Sequence, residues 1–150
     1  MGILDFLRDK GEDVTGKTDP NAHDPEAGAK VKQYIERRMG GQVSGLGVRY
    51  EGGRVTLIGK ADSQAAKEKA VLLAGNIRGV SAVDGDKLTV EEAEAAPEAT
   101  YYTVESGDTL SGIAKRYYGD PNEYHKLFEA NREVIQDPDK IYPGQKIRVP

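Results

Sequence analysis

Apolar positions fall into two patterned blocks separated by an acidic, Ala- and Pro-containing stretch from Glu91 to Thr100. In the first block Val31, Tyr34, Ile35 and Met39 recur at helical spacing and predict a short amphipathic helix. Leu46, Val48 and Tyr50 alternate, Gly52-Gly53 suits a tight turn, and Val55 and Leu57 alternate on the return strand. Ser63 is placed to cap a helix whose Ala66, Ala70, Leu73 and Ala74 share one face, with Gly75 as its C-terminal stop. Val80, Val83, Leu88 and Val90 supply either a last strand pair or one bulged strand. The order is α-β-β-α-β.

In the second block Tyr101 to Val104 alternate as a strand, and Ser106-Gly107-Asp108 forms a turn. A helix follows with Leu110, Ile113, Ala114 and Tyr117 on one stripe. Asp120 and Glu123 bracket Pro121 as a capping box with proline at the first helical position, ahead of Tyr124, Leu127 and Phe128. Pro143-Gly144 turns into a strand from Ile147 to Val149. This order is β-α-α-β. The fold class expected is therefore α+β in two small domains. The N-terminal segment covers 1–28 and packs on a domain at 29–90, a linker spans 91–100, and a second domain spans 101–150.

Composition removes several classes of chemistry. The 150 residues include no cysteine, so disulfides, thiolate metal sites and cysteine nucleophiles are excluded. Net charge is −4 with both signs mixed, and no basic cluster marks a nucleic-acid or membrane footprint. His23 and His125 stand isolated, and Ser106 and Ser111 have no histidine at a suggestive position. Asp84 and Asp86 flank Gly85 without the remaining spacing of a calcium loop, and a hairpin turn is the better reading. Glu91, Glu92 and Glu94 read as a solvated linker run, and Gly107, Gly112 and Gly119 as turn or packing glycines. Nothing points to an enzyme. MGILDFLRDKGE lacks a basic start, an unbroken apolar core and a cleavage site, so a cytoplasmic location is expected.

The YYTVESGDTLSGIAKRYYGD run with the closing DPDKIYPGQKIRVP resembles a LysM domain. The segment GRVTLIGKADSQAAKEKAVLLAGNIRGVSAV, with the elements around it, resembles a BON domain. A BON domain followed by one LysM domain, behind that N-terminus, resembles the cytoplasmic potassium-binding proteins of bacteria. The resemblance implies a non-enzymatic protein that binds K+ selectively and changes conformation as it does so, a sensor or buffer in osmotic or ionic stress. The implied partner is the potassium ion, with no nucleic acid, no membrane and a monomeric chain.

Potassium is large and weakly hydrated, and several neutral carbonyl oxygens replace its water shell best. Calcium and magnesium favour carboxylates. Carbonyls without partners occur at helix C-termini, where the macrodipole adds negative charge. Two such ends stand beside glycine: Gly75 to Val80, and Leu7 to Glu12, where a short N-terminal helix would run out at Gly11. Guided by the resemblance, the expected ligands are the carbonyls of Leu7, Lys10, Glu12, Gly75, Ile77 and Val80. Without it, the glycine is a helix cap and the N-terminal segment only covers a core or stays mobile. A helix so short is marginal alone. The ion would tie it to the 75–80 loop and stabilise the folded state by mass action, and LysM docking would follow.

A different class of function is glycan binding. The LysM resemblance implies a shallow groove for N-acetylglucosamine-containing chains between Gly107, Asp108, Thr109 and Leu110 on one side and Lys140, Ile141 and Tyr142 on the other. A third reading makes Tyr102, Tyr117, Tyr118 and Tyr142 a protein-docking surface, although aromatics at that spacing more often belong to a core.

Overall fold

The computed structural model describes residues 3–6, 11, 25–90 and 99–150. A four-stranded sheet forms the first half, built from β1 (Ile3–Asp5), β2 (Val43–Glu51), β3 (Arg54–Ala61) and β4 (Ala82–Val90) in the order β1-β4-β3-β2. β2 and β3 form the expected antiparallel hairpin, with Gly52 and Gly53 at positive φ in the turn. β3 and β4 run parallel, so their connection must cross the sheet, and α2 (Gln64–Gly75) does so. α1 (Pro25–Met39) and α2 supply the apolar layer, with Val31, Ile35, Leu72 and Ala74 fully buried among Tyr50, Val55, Leu57 and Val83.

Local signals placed several elements. Ser63 caps α2 through a 3.0 Å bond from the Ala66 N–H. The open alternative at the last strand resolves as one bulged strand. β4 gains a residue against β3 between the pairs Thr56–Asp84 and Ile58–Lys87. The Asp84-Gly85-Asp86 run is therefore a bulge, with the Asp86 N–H held by Asp84 Oδ1 at 3.0 Å, and not the expected hairpin turn. α1 begins at Pro25, inside the polar stretch expected to reach Gly28. It approaches β2 so closely that a Cβ on Gly28 would lie 3.0 Å from the Val48 carbonyl oxygen.

The second half pairs β5 (Thr100–Thr103) with β6 (Lys146–Val149), antiparallel, against α3 (Leu110–Tyr118) and α4 (Tyr124–Ala130). Leu110, Ile113, Leu127 and Ile147 form its buried centre. Asp120 caps the turn into α4 through the Asn122 N–H at 2.9 Å, and not through the Glu123 N–H that the expected capping box would use, which goes to the Asp120 carbonyl at 3.1 Å. Tyr117 departs from the expected apolar stripe. It is 42% exposed, and its ring meets the edge of Tyr102.

A buried ion pair joins the halves. Glu68 of α2 is fully buried and accepts from Arg148 of β6 at 3.1 Å (Nε) and 2.9 Å (Nη2). Arg148 Nη1 also donates to the Ala130 carbonyl, and the second Glu68 oxygen accepts from the Ala99 N–H. Lys69 pairs with Glu133 at 2.7 Å, and Gln42 donates to the same carboxylate. Buried residues of both halves form one contiguous cluster.

Breaking a buried pair from one side strands the other charge. Glu68→Ala is expected to lose about 3–5 kcal/mol in chemical denaturation. A Glu68→Leu/Arg148→Met double variant should recover most of that loss.

Candidate functional site

The C-terminal end of α2 and the loop after it occupy the contact between the halves. Leu72 and Ala74 carbonyls accept from the Asn76 N–H at the helix end, and the Val80 N–H donates to the Ile77 carbonyl at 3.1 Å. Two carbonyls of this loop are held by tyrosine hydroxyls. Tyr50, buried at the end of β2, donates to Gly79 at 3.2 Å, and Tyr142 from the LysM half donates to Asn76 at 3.3 Å. The expected ligand positions, Gly75, Ile77 and Val80, interleave with these two.

The N-terminal segment meets the same loop. β1 pairs with β4, Leu4 opposite Val83, and the Phe6 N–H continues the contact to the Ser81 carbonyl at 2.8 Å. The Phe6 ring lies against Gly75, where a Cβ would fall 2.0 Å from Phe6 Cζ. Gly11, at φ +105°, lies against the Asn76 carbonyl, where a Cβ would fall 1.8 Å from its oxygen. Gly75 is therefore required for space, since the helix ends at Asn76 with φ −82° and needs no left-handed cap. The expected short helix at Leu7 to Glu12, and with it Leu7, Lys10 and Glu12, lies outside the described residues apart from Gly11. The strand ahead of it was not legible. Its three residues pair only with a strand nearly eighty positions away.

At Gly11 and Asn76 two backbone segments meet with no room for a side chain between them, and carbonyl oxygens near a helix C-terminus suit a large weakly hydrated cation. A side-chain chelate is a different matter. Among the described residues no group of three or more His, Asp or Glu side chains is placed to hold a metal. His125 is exposed and stacked on Tyr124, and His23 lies outside the described residues.

The second half clamps both segments. Asn76 Nδ2 donates to the Lys146 carbonyl at 2.8 Å, and the Lys146 N–H donates to Asn76 Oδ1 at 2.9 Å. The Lys146 ammonium donates to the Asp5 carbonyl at 2.5 Å and lies 5.1 Å from the centre of the Phe6 ring. Burial lowers the Lys146 pKa, partly offset by Asp5. A second asparagine repeats the arrangement along β6. Asn131 donates to the Arg148 carbonyl and accepts from its N–H, each at 2.8 Å.

The second expected site is a groove of about 320 Å³ lined by Asp108, Thr109, Leu110, Ser111, Tyr124, Pro138, Asp139 and Ile141. Thr109 caps α3 there, accepting from Gly112 at 3.1 Å. The Tyr102 hydroxyl and the Glu105 N–H hold the Asp108 carboxyl below the usual carboxylate range. Three expected members are elsewhere. Gly107 is an exposed turn residue at φ +88°. Lys140 and Tyr142 line a separate cleft between the halves, where the Tyr142 hydroxyl reaches the end of α2. Nor do the four tyrosines make one docking face. Tyr102 is bonded within its own half by Asp108 and Arg116, Tyr118 donates to the Pro150 carbonyl, and Tyr142 faces α2.

Residues 23–92 match the BON domain family and residues 102–150 the LysM domain family. The chain is 39% identical to the potassium binding protein Kbp of Escherichia coli O6:H1, over 100% of this chain and 99% of that protein. An uncharacterized protein of Deinococcus radiodurans is 40% identical over 70% of this chain and 44% of its own length. The esterase Rv1288 of Mycobacterium tuberculosis is 42% identical over 45% of this chain, which is 14% of that protein.

The packing at Gly75 has a measurable consequence. Gly75→Ala drives a methyl into the Phe6 ring and is expected to cost about 1–3 kcal/mol, as overpacking does. The Phe6 amide should also lose its protection from hydrogen exchange. Gly41→Ala, with open space around the new methyl, should leave that amide protected.

Proposed function

The chain belongs to the BON–LysM family that includes the potassium binding protein Kbp, and on that premise we propose that it binds potassium selectively through backbone carbonyls. The ligands are the carbonyls of Leu7, Lys10 and Glu12 from the N-terminal segment and of Gly75, Ile77 and Val80 from the loop after α2. The observation that carries this reading is the approach of Gly11 to Asn76, which brings the two segments into direct backbone contact. Phe6 against Gly75 supports it from the other side. The end of the α2 macrodipole favours a cation there, and neutral oxygens suit one of low charge density.

The protein is a potassium sensor or buffer of the cytoplasm under osmotic or ionic stress, with no catalytic step. Ion binding orders the N-terminal segment against the loop and stabilises the folded state in proportion to ligand concentration. A second reading, glycan binding in the LysM half, draws on the groove beside Thr109 and Ile141. No helix among the described residues is long and apolar enough to cross a membrane.

Titrating metal-stripped protein with K+ at constant ionic strength, with Na+ as the balancing ion, tests the site by amide NMR. Saturable shifts centred on Gly11 and Gly75 to Val80 are expected with K+ and not with Na+. Equal responses to the two ions would reduce the effect to screening and remove the potassium reading. Co-sedimentation with peptidoglycan would then favour the glycan reading.

A further inference from the structure

Lys146 touches both sides of the proposed cage from outside it. Its main chain is bonded twice to the side-chain amide of Asn76, the residue between Gly75 and Ile77. Its ammonium is bonded to the carbonyl of Asp5, immediately before Phe6, whose ring covers Gly75. We propose that Lys146 is a positioning residue for ion binding. It holds the loop and the N-terminal segment at the separation the cage requires, so that the LysM domain sets the ion affinity of the BON domain. The inference rests on the potassium reading above and assigns the control of that site.

Two opposed effects meet at this side chain, and their signs differ. A cation close to a cation site repels the incoming ion, and removing it should tighten binding. A tether that pre-organises two chain segments lowers the ordering cost of binding, and removing it should weaken binding. The geometry favours the tether. The ammonium is turned onto the Asp5 carbonyl and the Phe6 ring, neither of them among the proposed ligands. Coupling is reciprocal, so the ion must tighten the LysM contact by the factor with which that contact tightens the ion.

The test is Lys146→Met in the full chain, which keeps the backbone bonds to Asn76 and removes only the ammonium. Lys115→Met removes an equal charge from an exposed position on α3 and serves as control. Potassium affinity of Lys146→Met is expected to fall about fivefold or more, with Lys115→Met unchanged and Lys146→Arg near wild type. In the wild type, K+ should slow hydrogen exchange at the Lys146 amide, and Lys146→Met should blunt that protection. Unchanged or tighter binding by Lys146→Met overturns the proposal while leaving the potassium site standing. Absence of any K+ response in the wild type removes the site itself. Should Lys146→Met unfold in Na+ buffer, Asn76→Ser decides the matter. It loosens the other half of the tether, and an affinity equal to wild type overturns the proposal.

Discussion

A chain leaving a helix carries carbonyl groups that the helix cannot satisfy, and the loop after α2 places those of Asn76 and Gly79 in the middle of the molecule. In water they would be hydrated. Here they face the N-terminal segment, a buried tyrosine and a second domain. Tyr50 supplies a hydroxyl from the sheet, Tyr142 supplies one from the LysM half, and Gly11 lies close enough to exclude any side chain between the segments. The junction of the two halves is built around these acceptors, which is why structure and proposed chemistry meet there.

The same helix carries the other half of the junction. Glu68, two turns before its end, holds Arg148, and Asn76 at its end holds Lys146, so α2 grips β6 at two places. Glu68 is wholly buried and accepts from Arg148, Gln64 and Ala99. Such a group costs desolvation free energy that its partners must offset, and it favours one arrangement of the halves over others of similar apolar burial. A displacement of β6 along α2 would strand the carboxylate and break the bonds between Asn76 and Lys146.

Local chemistry was legible and distant pairing was not. Ser63, Asp120 and the Gly52-Gly53 turn act within a few residues of themselves, and the helical and alternating patterns around them placed α2, the β2–β3 hairpin and both LysM helices. Gly75 was read as the stop of α2, where the helix does end, but not as the seat of the Phe6 ring. A glycine at a helix end is usually a left-handed cap, and nothing in the neighbouring residues points to Phe6 lying on it. The Asp84-Gly85-Asp86 bulge also needs the register of β3 to be recognised. Tyr142 was assigned to the glycan groove from the LysM resemblance, which carries no information about a contact with α2 of the other half. The loop at Gly75 to Val80, proposed above to hold the ion, was singled out by reasoning about helix ends together with the family resemblance. Lys146 was not, since its relation to Asp5 and Asn76 exists only once the two halves are joined.

β5 and β6 make a sheet of only two strands, and a two-stranded sheet has two open sides. On the outer side of β6 the alternate residues Lys146 and Arg148 turn their amide and carbonyl groups away from β5, and the asparagines at 76 and 131 each answer one such residue with a donor and an acceptor. A primary amide presents the same pair of groups as a peptide unit. The two side chains therefore occupy the places a third strand would take, without the continuous ladder that a strand offers to further copies. In a crowded cell that side of the sheet is closed to strand addition.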